Sequence, residues 1–104
     1  MAKSPKIVVT GILDTKGEEI KFLAERVRKS GGDPVILEIS VGKEVGWADI
    51  SISDVLKKVD KTTEEVFSLD RGKAAGIVIE GAKKLVLELY EKNEIDGIVA
   101  YGGS

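Results

Sequence analysis

The sequence predicts an α/β domain built on three parallel strands in the order 2-1-3, with helices on both faces. Three observations predict it. The runs Lys6-Ile7-Val8-Val9-Thr10, Pro34 to Ile39 and Ile95 to Tyr101 are apolar at both alternating sets of positions, so each strand is covered on both faces, as in parallel sheets flanked by helices. The stretches between these runs carry helical periodicity, the alternation that makes a parallel sheet. Right-handed crossovers put the helices of a 1-2-3 sheet on one face, whereas the order 2-1-3 reverses direction and covers both. The expectation is therefore a three-layer, Rossmann-like arrangement, and a length of 104 residues gives one domain, 1–104, with one core.

Each element has its own signals. The first strand closes on Gly11, and a helix follows in which Thr15 and Glu18 have capping-box spacing. Ile20, Leu23, Ala24 and Val27 then recur at helical intervals until Gly31-Gly32 stops the helix. Glu25 and Lys29 form an i,i+4 pair on its wet face. Asp33-Pro34 leads into the second strand, whose Glu38 reads as an edge residue facing solvent. Two short helices are expected from Ser51 to Val59 and from Thr62 to Leu69, each opened by a capping-type spacing, Ser51 with Asp54 and Thr62 with Glu65. Trp47, just before them, is expected to pin this excursion to the core through its apolar area. Asp70-Arg71-Gly72 opens the longest helix, with Ala74, Ile77, Val78, Gly81, Ala82, Leu85 and Leu89 as its apolar stripe. Glu80 with Lys84 and Glu88 with Lys92 are acid-before-base pairs on its other face. The third strand runs to Tyr101 and Gly102-Gly103-Ser104 follows it.

Composition narrows the chemistry. The chain has no cysteine and no histidine, which removes disulfides, zinc-thiolate sites, imidazole acid/base chemistry and cysteine nucleophiles. It suits a reducing compartment, and the expected location is the cytoplasm. No apolar run approaches 18 residues, so neither a membrane span nor a secretory signal is expected. Sixteen basic residues face eighteen acidic ones, with a formal charge of −2 and the signs interspersed, so a nucleic-acid surface is not expected. Thirteen of the cations are lysine, glutamine is absent and Asn93 is the sole asparagine, a usage that matches heat-adapted proteins.

The residues left for chemistry gather at two glycine-bearing loops. Asp14-Thr15-Lys16-Gly17 follows the first strand, where the free amides and dipole of a helix start favour an anion. Lys16 adds a charge and Thr15 a hydroxyl, although Thr15 is equally explained as a helix cap. Gly102, Gly103 and Ser104 follow the third strand, where paired glycines let backbone approach a phosphate; an ordinary exposed turn explains them as well. In the order 2-1-3 the two loops are neighbours at the topological switch point, the place where open α/β sheets bind ligands. Arg71 is a third candidate, suited to a bidentate grip on phosphate or carboxylate. No metal-ligand cluster is expected. The motif is neither a Walker A loop nor a dinucleotide-binding turn.

Taken together, Gly11-Ile12-Leu13-Asp14-Thr15-Lys16-Gly17-Glu18-Glu19, Ala48-Asp49-Ile50-Ser51, Asp70-Arg71-Gly72 with Ala74 and Glu80-Gly81-Ala82, and Ile95-Asp96-Gly97-Ile98 before Gly102-Gly103-Ser104 resemble the amino-terminal part of the Tm-one-like ATP-binding family. The resemblance runs from Ile7 onward. It implies a truncated half of a longer nucleotide-binding domain, with ATP as ligand. The leading reading is therefore a nucleotide-phosphate binding module, with Gly11, Asp14 to Gly17, Arg71 and Gly102 to Ser104 around the phosphates and Asp14 orienting Mg²⁺ through water. Two other readings stand beside it. One is an enzyme acting on a phosphorylated or carboxylated metabolite, with Asp14 and Lys16 as acid/base groups. The other is a fragment that forms a homo-oligomer through an open sheet edge.

Overall fold

The computed structural model of the chain describes residues 4–101. In chain order it contains β1 (Lys6–Ile12), α1 (Leu13–Lys29), β2 (Asp33–Ile39), α2 (Ile52–Lys57), α3 (Thr63–Phe67), α4 (Arg71–Glu91) and β3 (Gly97–Tyr101). The three strands form one parallel sheet in the order β2-β1-β3.

Alternation along β1 divides the core in two. Val8 points toward α2, α3 and α4 and joins Leu37, Val55, Leu56, Val66, Ala74, Val78 and Leu85 in the larger apolar cluster. Val9 points the other way and packs with Leu13 and Ile20 beneath α1. Helices thus cover both faces, for the reason the two-sided apolar strands predict. The 2-1-3 order follows the same logic of right-handed crossovers. Where α2 crosses α4, a Cβ on Gly81 would lie 2.6 Å from the Val55 carbonyl oxygen, so glycine is what lets the two backbones approach.

Three of the four helices begin as expected. Ser51, Thr62 and Asp70 each accept a hydrogen bond from the backbone N–H three residues on, at 3.2, 3.2 and 2.9 Å, and Glu65 returns the bond to complete a capping box at Thr62. α1 does not follow that pattern. β1 runs straight into it, so helical structure starts at Leu13 and Thr15 falls inside the first turn. Its hydroxyl donates to the Ile12 carbonyl at 3.4 Å, and Glu18 turns to Lys21 instead, 3.8 Å away. The capping box expected at Thr15 is therefore absent. The helix breaks at Lys16 (φ −121°, ψ 28°) and resumes after it.

Three other expectations are corrected. Glu25 pairs at i,i+3 with Arg28, the residue before Lys29. Trp47 is 37% exposed; it lies on α1, its ring 3.2 Å from where a Gly17 Cβ would be and 4.6 Å from the Lys21 ammonium, a cation–π contact on the surface. Glu38 is fully buried. It does not face solvent because the segment after β2 folds back over that edge: Glu38 N–H donates to the Ile50 carbonyl at 2.9 Å and Ile50 N–H to the Ile36 carbonyl at 3.0 Å.

Candidate functional site

The carboxyl ends of the strands meet where the switch-point argument puts them. Gly11 in β1 is the register partner of Tyr101 in β3, so the junction of β1 with α1 lies beside the carboxyl end of β3. Gly11 is needed there for packing: a Cβ would collide with Ile20 Cδ1 and sit 3.0 Å from the Tyr101 carbonyl oxygen. Gly102, Gly103 and Ser104 lie outside the described residues.

Thr15 and Lys16 are exposed at the break in α1. Gly17 is half-covered by Trp47. Arg71, the first residue of α4, is exposed and makes no ion pair among the described residues; it stands on the helix layer of the opposite face, packed on β2, α2 and α3.

Carboxylates organise the surroundings. Asp14 Oδ2 accepts from Gly42 N–H at 3.1 Å. Glu38 accepts from the Ser40 hydroxyl at 2.6 Å, Val45 N–H at 2.9 Å and Ile52 N–H at 3.1 Å. Asp49 accepts from Ile36 N–H at 2.8 Å, and Glu44 from the Ser53 hydroxyl at 2.6 Å. Two of these bonds satisfy amides, those of Gly42 and Val45, in a segment, residues 40–49, that has no regular ladder of its own. Glu38 is the member that sequence reasoning missed. The signal available was a lone carboxylate inside an apolar strand, followed at once by Ser40 and a polar segment.

Two oxygens remain without partners. Asp14 Oδ1 and Glu19 Oε2 are buried and make no hydrogen bond among the described residues. Buried acceptors are seldom left so. No group of three or more acidic side chains that could hold a metal ion directly occurs among the described residues, and no helix there is long and apolar enough to cross a membrane.

Residues 5–104 match the model of the uncharacterised protein family UPF0261, N-terminal domain. A UPF0261 protein of Brucella suis is 35% identical over 103 residues, covering 97% of this chain and 25% of the relative. A UPF0261 protein of Clostridium tetani is 32% identical over 114 residues, covering 95% of this chain and 25% of the relative. One of Rhizobium meliloti is 32% identical over 99 residues, covering 94% and 24%. No solved structure matches. The chain belongs to the UPF0261 family, and it spans about a quarter of the length of the curated relatives it matches. This corrects the resemblance to the Tm-one-like ATP-binding family: the family model and the relatives are those of UPF0261, and none of them points to the other group.

Proposed function

We propose that this domain binds the phosphate end of a ligand, a nucleotide such as ATP, in the crevice between the carboxyl ends of β1 and β3. The observation that carries the reading is the pairing of Gly11 with Tyr101 in a β2-β1-β3 sheet, which makes the first turn of α1 one wall of the switch point. Lys16 supplies an exposed cation at the break in α1, and the amides of that first turn supply donors. Gly102, Gly103 and Ser104, outside the described residues, are assigned to the site by the sequence reading alone.

Mg²⁺ fits this arrangement as a passenger on the phosphates. Asp14 Oδ1, buried and without a donor, would accept a hydrogen bond from water on such an ion. The ion would supply charge neutralisation at the phosphate oxygens. Asp14 also holds residues 40–49 to the start of α1 through Gly42. Absence of cysteine suits the reducing cytoplasm as the place of action.

Titrating ATP, GTP and inorganic phosphate, with and without Mg²⁺, into this chain and into the full-length Brucella suis relative tests the reading. Saturable binding of the triphosphates, with Lys16→Ala weaker by about 1.5 to 3 kcal/mol, the range for charge-assisted hydrogen bonds, supports it. Absence of binding by both proteins at millimolar ligand overturns it. Unchanged affinity in Lys16→Ala removes the charge role assigned to that lysine.

A further inference from the structure

The two outer edges of the sheet are finished differently. Along β2, Ile50 closes the edge with two backbone hydrogen bonds and Asp49 takes a third amide. Along β3, only β1 is a neighbour among the described residues. The strand Gly97–Tyr101 reads GIVAY, with none of the lysines, prolines or inward charges that blunt an open edge.

Both faces beside that edge are bare as well. On the α4 side, a groove of about 640 Å³ runs between Ile79, Leu87 and Tyr90 of the helix and Ile98 of the strand. On the α1 side, Phe22 and Tyr101 flank a second depression. Phe22, Leu87 and Tyr90 are 62%, 58% and 64% exposed. α4 therefore carries two apolar stripes, one sunk in the core at Ala74, Val78, Ala82 and Leu85 and one turned toward β3. Single exposed apolar residues are ordinary, whereas a patch that wraps an unpaired strand from face to face marks an interface.

We propose that the β3 edge and its two flanks form one seam that receives a further parallel strand with a helix on each face, supplied by the remaining three quarters of the longer chains of this family. Length supports that occupant, since the curated relatives are about four times as long as the stretch they share with this chain. Handedness supports it too. The step from β2 to β3 carries its helices on the α4 face, and a right-handed crossover to a strand beyond β3 stays on that face. Its helix then falls into the groove of Ile79, Leu87, Tyr90 and Ile98.

A second copy fits less well. α4 packs over β2 and β1, so joining two β3 edges across a twofold axis leaves the two α4 helices at least four strand spacings apart. That is about 19 Å at roughly 4.8 Å per strand, against about 8 to 10 Å for packed helices. The edge would be paired and the grooves would stay open.

Hydrogen exchange tests the seam. In the full-length Brucella suis relative, the strand aligned with Gly97–Tyr101 is expected to exchange about a hundredfold more slowly than in this chain alone, independent of protein concentration. Leu87→Lys is expected to leave the melting temperature of this chain unchanged, while a lysine at the aligned position lowers that of the relative. Equal exchange in the two proteins overturns the proposal. Protection in the relative that is lost on dilution overturns it in favour of pairing between copies, and an unaffected relative carrying the lysine overturns the groove as part of the seam.

Discussion

Glu38 holds together the part of the chain with the least regular structure. Its carboxyl oxygens accept from Ser40, Val45 and Ile52, so its removal strands two backbone amides and a hydroxyl in a buried space. Each such group left unpaired costs about 1–3 kcal/mol. Glu38→Ala is therefore expected to lose about 3 kcal/mol or more in urea unfolding, with Glu38→Gln intermediate because its amide keeps one acceptor and turns an N–H₂ toward a donor. Equal stability of all three proteins would show that residues 40–49 hold without it. Thr15 is the opposite case. Exposed, inside a turn and bonded only at 3.4 Å, it is expected to tolerate alanine within about 0.5 kcal/mol, as surface positions do, and a loss of about 1 kcal/mol would restore it as a cap. Sequence spacing could not separate these two residues. Thr15 and Glu18 have the capping spacing, but the strand enters the helix without a turn. Glu38 lacks any spacing signal, since what buries it is a segment that folds back from more than ten residues away.

Elements were more legible than residues, because strand alternation and helix stripes depend on local order. The caps at Ser51, Thr62 and Asp70 were readable for the same reason. Two glycines of α4 show where that reading stops. A Cβ on Gly81 meets the Val55 carbonyl, while one on Gly76 meets nothing within 4 Å. Gly76→Ala is accordingly expected to stabilise by about 0.5–1 kcal/mol through helix propensity. Gly81→Ala is expected to destabilise by about 1–3 kcal/mol as α2 and α4 are forced apart. Thermal unfolding of the pair separates packing from propensity, and a shift of the same sign in both would refute the distinction. The same two helices are joined by charge. The Lys58 hydrogen bond to Glu88, with that from Lys92 and both ammonium charges, holds the Glu88 carboxyl below its usual 4.5, and Glu88 in turn raises Lys92 above 10.5. A lowered carboxyl pKa means a contribution present above about pH 4.5 and lost as pH falls through the lowered value. A raised lysine pKa means one present below about pH 10.5 and lost as pH rises through the raised value. Glu88→Gln should flatten both limbs of the melting-temperature profile, modestly, since the groups are on the surface.

At the scale of the molecule, net charge and the β3 edge act together. A formal charge of −2 and a pI near 5.2 leave little self-repulsion between copies, and what there is vanishes near that pH. β2 is closed by the chain's own Ile50, so the surface then free to associate is the apolar one at β3. Isolated 104-residue chains are expected to scatter most light near pH 5.2 and to clear on either side. Ile98 is 52% exposed, so a lysine there should cost little stability while placing a charge on the edge and in the groove. Ile98→Lys also changes net charge, which alone would move the scattering maximum. Ser68→Lys, on an exposed turn at the end of α3, makes the same change away from β3. The expected result is a shifted maximum of unchanged height for Ser68→Lys and a lowered maximum for Ile98→Lys. Equal heights in the two variants would mean that association runs through the general surface, and that the bare edge has no special part in it.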